Sequence, residues 1–415
     1  MSEARNFPGG SIDCRKSVRT SGREPRALGV YVHFPYCLRK CAYCDFVSFK
    51  TEPTDIPHEK YADAVVAELE ARTPSVSGHR LSTVFIGGGT PSLWDVRALG
   101  RVIRAIEAAF AGRSEEEVEI TAECNPTSFD IDKAKQLRDA GVNRLSIGIQ
   151  SLEQERLTFL GREHRAEEGL RALESALASG MPRVSGDLIF GVATEGSVET
   201  PEVAAAEAKR VAETGVTHVS AYALTIEPNT EFGARARKGK LPLAPDDLIV
   251  DSLHAVSTAL GELGFAHYET SNYARLGHVS RHNVGYWRGL DYLGLGASAF
   301  GTLSRGSSAV RYRNASDPRK YMAHAHDAEE VTFEREELLP NDRMNERIML
   351  GLRLAEGIDL EEAALDLGID PLPAERQNAL RRLIDTGRIA REGNRLRVPQ
   401  AMRGLVDGIS ASLFG

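Results

Sequence analysis

A chain of 415 residues with 42% hydrophobic and 27% charged positions has the make-up of a soluble globular protein, large enough for one big barrel plus an appendage. Its net charge of −8 and pI near 5.9 leave no basic footprint for nucleic acid. No apolar stretch suffices to cross a bilayer and no signal-like segment opens the chain, so a cytoplasmic, reducing location is expected and a disulfide framework is not.

Residues 1–27 are polar, contain Gly and Arg, and lack periodicity; a disordered tail is expected there. From Leu28 onward, short β-branched runs alternate with helical patterns. "LGVYVHF", "STVFIGGG", "VEITAECN", "NRLSIGIQ", "RVSGDLIFG" and "THVSAYALT" read as strands. "EKYADAVVAELEART", "VRALGRVIRAIEAAFAG", "DIDKAKQLRDAG", "RAEEGLRALESALASG" and "PEVAAAEAKRVAETG" read as the helices between them, with Gly112 and Gly141 as stops. Six successive β-α units predict an α/β fold, a partial (β/α)6 TIM-like barrel over 28–265.

Residues 266–333 are rich in His, Tyr, Asn and Gly and read as a bridging, site-building segment rather than core. From 334 to 415 three helical patterns precede "RIAREGNRLRVP", a hairpin-like stretch, and a last helix. The order resembles a winged-helix domain, and the acidic first half of this mostly helical region favours a covering role over DNA binding.

Function in such a barrel gathers at the carboxyl ends of the strands. The first strand runs into "CLRKCAYC", which holds Cys37, Cys41 and Cys44, three of five cysteines. Three thiolates on one short loop suit three corners of a [4Fe–4S] cluster and leave one iron open. A zinc site completed by Cys14, Cys124 or His33 is the rival reading, and coincidence the plain one. The second strand ends in "GGGTPS", either a tight turn or a backbone surface for a ligand. Glu123, Gln150 and Asp187 close or interrupt later strands; Glu123 or Asp187 could equally pair with an arginine inside the barrel. In "HNVGYW", His282 could ligate a heme iron, and Tyr286 and Trp287 could pack on a porphyrin; a His–Asn turn packed on aromatics is the structural alternative.

"CLRKCAYC", with Tyr43 before the third cysteine, resembles the signature of the radical S-adenosylmethionine (SAM) superfamily. In that superfamily the open iron binds the amino and carboxylate groups of SAM, which the cluster cleaves reductively to a deoxyadenosyl radical. "YVHFPYC", "GGGTPS", "ECNP", "GIQS", "GREH" and "GDLIFG" in order resemble the oxygen-independent coproporphyrinogen III oxidase-like family. The resemblance implies SAM contacts from Tyr31, Gly88, Gly89, Thr90 and Glu123. It also implies a wider SAM cavity lined by Tyr43, Gln150, Arg162, Asp187 and Ala221.

The oxidases carry a further cysteine two residues past the third ligand, where this chain has Phe46. "HNVGYW", "YLGLGASAFG" and "GLRLAEGID" resemble the HemW branch, regarded as heme chaperones. The resemblance thus implies a protein that binds heme, a cluster and SAM and passes heme to acceptors such as respiratory enzymes. The alternative is oxidative decarboxylation of coproporphyrinogen III in porphyrin biosynthesis.

Overall fold

The computed structural model describes residues 25–414; the expected tail, with Cys14, lies outside them as far as residue 24, and the first strand begins at Arg26. Six parallel strands follow the expected order: β1 (Arg26–Phe34), β2 (His79–Gly88), β3 (Ser114–Cys124), β4 (Arg144–Gln150), β5 (Arg183–Phe190) and β6 (His218–Ala223). Each is joined to the next through helix, including His58–Arg72, Val96–Ala109, Ile131–Asp139, Ala166–Ala178 and Pro201–Ala212. Local chemistry sets the helix ends. Asp95 accepts from the amides of Arg97 and Ala98, and Asp130 from that of Lys133, satisfying donors that a first turn leaves open. Gly141, at φ 107°, stops the third helix.

The sheet does not stop at six strands. Residues 266–338 add β7 (Ala266–Glu269), β8 (Asn272–Ala274), β9 (Asp291–Leu295), β10 (Phe300–Arg305), β11 (Ser308–Asn314) and β12 (Thr332–Leu338). The full order is β12-β11-β10-β9-β1-β2-β3-β4-β5-β6-β8-β7. Strand β9 lies parallel to β1, a seventh parallel strand, while the flanking strands pair antiparallel. The segment expected to build a site is therefore also core: Tyr273, Leu293 and Leu295 are fully buried. Gly294 is what lets β9 join, because a Cβ there would lie 1.8 Å from the Phe300 carbonyl oxygen.

The two faces of the barrel strands differ in chemistry. Outward, Val30, Val32, Val84, Ile86, Leu145, Ile147, Val184 and Val219 are fully buried against the helices, each contributing about 1.5–3 kcal/mol. Inward, β3 presents Thr121 and Glu123. Strand β4 presents Arg144, Ser146, Gly148 and Gln150, β5 presents Ser185 and Asp187, and β6 presents His218, Ser220 and Tyr222. Closed barrels of this type fill their centre with branched apolar side chains. Here small and polar residues leave the lumen hollow.

A second hydrophobic cluster, from Met344 to Leu413, unites the C-terminal helices Pro340–Gly351, Leu360–Ala364 and Ala374–Asp385. Its wing has three strands rather than two, because Ile358–Asp359 pairs with Arg395–Arg397 beside Ala390–Glu392. Strand β12 runs through residue 334, so the sheet extends past the point where the helical pattern begins. The cluster is tied to the sheet edge by Ala355 N to Tyr268 O (2.9 Å), Arg403 Nη1 to His267 O (3.0 Å) and Gln400 Nε2 to Ser257 Oγ (3.0 Å).

Candidate cofactor cavity

The loop after β1 is pinned at its base and open at its tip. Tyr36–Cys37 pairs in parallel with Phe49–Lys50, and Thr51 N donates to Cys37 O (2.9 Å). At the tip, Cys44 N donates to Cys41 O (3.2 Å), a turn that presents Cys37, Cys41 and Cys44 along one wall of a cavity of about 470 Å³. All three are free thiols. Burial pushes the Cys44 thiol up to about 11 and raises Cys37 as well. Such thiols ionise only beside strong positive charge, which bound iron supplies. Thr90 Oγ1 donates to Cys37 Sγ (3.4 Å), and Arg162 Nη1 lies 3.8 Å from Cys41 Sγ. The donor set therefore fits an iron–sulfur cluster. Among the described residues no three His, Cys, Asp or Glu side chains converge on a point as for a single ion. His33 is committed elsewhere, to Tyr31 Oη (3.0 Å) and the Val47 carbonyl (2.8 Å). Cys124 lies across the cavity at the end of β3.

The glycine run is stitched to this loop. Gly89 N donates to Phe34 O (2.7 Å) and Thr90 N to Tyr36 O (2.9 Å). A Cβ on Gly89 would fall 2.6 Å from Tyr36 O, and one on Gly88, at φ 107°, would meet the His33 ring at 2.5 Å. Only glycine allows this approach. Gly88 N then donates to Glu123 Oε2 (3.1 Å), so strand ends β1, β2 and β3 form one hydrogen-bonded rim. Burial, reinforced by the nearby Asp187 charge, pushes the Glu123 carboxyl up to about 8.

The opposite wall comes from β4 and β5. Gln150 sits at φ 70°, left-handed for a non-glycine residue, beside a register shift in β4. Strain of this kind costs about 1–3 kcal/mol and persists where surroundings enforce it. Arg162 Nη2 donates to Gly148 O (2.6 Å). Asp187 accepts from Ser146 Oγ (2.7 Å) and Ser185 Oγ (3.0 Å), yet burial still raises its carboxyl.

Of the cluster and SAM residues expected from the sequence, eleven line the cavity: Cys37, Cys41, Tyr43, Cys44, Gly88, Gly89, Thr90, Glu123, Gln150, Arg162 and Asp187. Tyr31 and Ala221 do not. Tyr31 pairs in register with the cavity residue Phe85 and stacks on it (6.2 Å), and Ala221 packs on the helix-facing side of β6. His282, Tyr286 and Trp287 also stand outside the wall. They belong to the helix Arg281–Trp287, in a segment folded against the amino-terminal ends of the barrel strands.

His282 is only 3% exposed. Its Nδ1 bonds Thr83 Oγ1 (2.7 Å), its Nε2 bonds Tyr286 Oη (3.1 Å), and its amide donates to Glu119 Oε1 (3.1 Å). Burial lowers its ring to about 3, so it stays neutral. As placed, it offers no nitrogen to an iron. Trp287 instead lies under the Arg353 guanidinium (5.1 Å). The member of the motif that does face the cavity is Asn283.

Not singled out from the sequence were Thr121, Arg144, Ser146, Ser185, His218, Ser220 and, at the mouth, Lys40. A signal was present: T-x-E in β3, R-x-S-x-G-x-Q in β4, S-x-D in β5 and H-x-S-x-Y in β6. Period-two polarity in buried parallel strands marks a lumen rather than a packed centre.

An open parallel barrel with three cysteine thiols at the carboxyl end of its first strand, and a glycine strap beside them, defines a radical SAM protein. A model of the radical SAM superfamily matches residues 31–205, and one of the HemN C-terminal domain matches 338–402. The chain is 34% identical to the heme chaperone HemW of Haemophilus influenzae, over 81% of this chain and 85% of that protein. It is 33% identical to the heme chaperone HemW of Mycobacterium tuberculosis, over 94% and 95% respectively. Coproporphyrinogen III oxidase (HemN) from Escherichia coli shares the fold, with a TM-score of 0.76 at 23% identity over 94% of this chain and 91% of that one. The chain belongs to the HemW family of heme chaperones.

Proposed function

We propose that this protein binds heme and delivers it to acceptor proteins, respiratory enzymes among them, from a cytoplasmic location. It does so with a [4Fe–4S] cluster held by Cys37, Cys41 and Cys44 beside SAM. The observation that carries this reading is that the likeness to heme chaperones runs through barrel and C-terminal region alike. Phe46, 55% exposed at the cavity mouth, agrees with it, since it stands where the oxidases have their further cysteine. When bound, the cluster supplies the electron that cleaves SAM.

The chain's own residues divide the remaining work. Gly88, Gly89, Thr90 and Glu123 border the cluster loop and hold the amino-acid end of SAM. Gln150 and Asp187 line the far wall of the same cavity, Tyr43 stands in the cysteine loop, and Arg162 links the two sides through Cys41 Sγ and Gly148 O. Tyr31 buttresses the lumen through Phe85, and Ala221 supports β6 from its helix-facing side. The HNVGYW segment contributes through Asn283, with His282 and Tyr286 holding the helix in place.

The test is anaerobic incubation of cluster-loaded protein with SAM, reductant and coproporphyrinogen III, followed by mass spectrometry, beside a heme titration of the same sample. Stoichiometric heme binding with an unchanged porphyrinogen is the expected pair of results. Loss of two carboxyl groups from the porphyrinogen, with deoxyadenosine formed in step, would make the protein an oxidase and end the proposal.

A further inference from the structure

The cavity does not end at the cofactor rim. It continues down the lumen to the first residue of β4, where Arg144, Thr121, Ser280 and Asn283 form its floor. Gln150 marks the rim end of the same strand, so floor and rim stand about 20 Å apart. The segment 278–283 closes the bottom, held there by Arg144 Nη2 to the carbonyls of His278 (2.9 Å) and Val279 (2.8 Å).

Arg144 is 2% exposed. Its Nε donates to Glu119 Oε2 (3.0 Å), yet its Nη1 is buried and meets no protein acceptor. The Thr121 hydroxyl, on a residue 1% exposed, is likewise buried and unpartnered. The two residues are register partners across β3 and β4 and both line the cavity. A buried donor without an acceptor is costly, and native interiors keep few of them. Two such atoms on adjacent residues that line the same cavity indicate a built site. Glu119 accepts from Arg144 Nε and from the His282 amide, and neither of its oxygens comes within hydrogen-bond distance of Arg144 Nη1 or Thr121 Oγ1. His218 has both ring nitrogens occupied, by Ser185 Oγ (2.8 Å) and Tyr268 Oη (2.8 Å). The floor therefore offers unused donors: a guanidinium nitrogen, hydroxyls and a side-chain amide.

We infer that this floor is a carboxylate-binding subsite centred on Arg144 Nη1 and Thr121 Oγ1, with Asn283 and Ser280 beside them. Resting on the proposed function, the carboxylate it receives is a propionate of heme. Guanidinium and hydroxyl donors together match the in-plane lone pairs of a carboxylate. SAM is the other source of a carboxylate, but Cys37, Cys41 and Cys44, which would hold the cluster and SAM beside it, lie at the opposite end of the strands. A floor needed only for packing would be better served by valine at position 121, which fits the strand and leaves no orphaned hydroxyl.

The experiment is a titration of cluster-loaded full-length protein with heme and with heme dimethyl ester, whose propionates are capped, in wild type and Thr121→Val. Wild type should bind heme about tenfold or more tightly than the ester, the scale of a charge-assisted hydrogen bond. Thr121→Val should lose several-fold in heme affinity, keep its ester affinity, and melt at the same or a higher temperature. Arg144→Gln should abolish the preference for heme over ester; its folding is checked separately, since Glu119 loses a partner. Equal affinities for heme and ester in wild type, or an unchanged ratio in Thr121→Val, would remove the floor subsite and leave the chaperone reading standing. Failure of wild type to bind heme at all would remove that reading, and the propionate assignment with it.

Discussion

The cysteine loop and the HNVGYW helix are both recognisable strings, and the structure uses them in opposite ways. The loop turns its chemistry outward: three thiols face a cavity, and its backbone is strapped at the base so that its tip stays open. The helix turns its chemistry inward. Its histidine is sealed between Thr83 and Tyr286 and stacks on Phe85 at 5.1 Å; only Asn283 reaches the lumen. A string can thus define a site by touching the ligand or by building the floor beneath it. The two uses differ in what a mutation should cost.

The sharpest contrast comes from the loop. Replacing Cys41 and Cys44 together by serine should abolish cluster loading, read as iron and sulfide content after anaerobic reconstitution, with the far-ultraviolet circular dichroism unchanged. Retained cluster would place the ligands elsewhere. His282→Ala should behave in reverse. It deletes two buried hydrogen bonds and a packed ring, so chemical denaturation should show a loss of about 3–5 kcal/mol, with cluster loading intact in the folded protein. Little loss of stability together with abolished heme binding would instead make His282 an iron ligand, and the comparison would break.

Gly89→Ala tests the strap that joins the two chemistries. With a Cβ 2.6 Å from Tyr36 O, it should cost about 1–3 kcal/mol and lower iron loading, because backbone must shift beneath the cysteines. Unaltered iron content would mean that the loop does not depend on this contact.

The smallest effect concerns pH. The Glu123 carboxyl is raised from 4.5 to about 8, so between those values the folded state holds a proton that the unfolded state has released. Stability from this group is full below about 4.5 and is lost as pH rises to about 8. In the cofactor-free protein Glu123→Gln should flatten that slope and gain about 1–2 kcal/mol at pH 8. A denaturation series from pH 5 to pH 8 with identical slopes for both proteins would show the carboxyl to be ionised throughout.

Much of the barrel was legible because its outward faces carry ordinary signals. Branched apolar residues alternate along β1 to β6, and the intervening helices carry a 3.6-residue period with glycine stops. Strand β9 was not legible. "DYLGL" is short, interrupted by Gly294, and set among histidines and tyrosines; the glycine is there for backbone approach to Phe300, a reason that appears only once the neighbouring strand is in place. The rim of the cavity followed from strand ends, glycines and cysteines. The lumen was visible only piecemeal, through Glu123 and Asp187, because Arg144, Ser146, Ser185 and His218 look unremarkable until their shared period is set in register. His282 shows the opposite limit. Its chemistry suggested a ligand, and only its surroundings show that both nitrogens are already bonded.

Whether the radical SAM cavity of this protein serves heme transfer is read in delivery itself. Cluster-loaded protein carrying one equivalent of heme is mixed anaerobically with a heme-free b-type cytochrome, and the heme absorption band is followed with and without SAM and reductant. Heme should leave this protein and appear in the acceptor faster than it is released into an albumin trap. Transfer no faster than passive release, or heme that stays bound under every condition, would contradict a role in heme transfer.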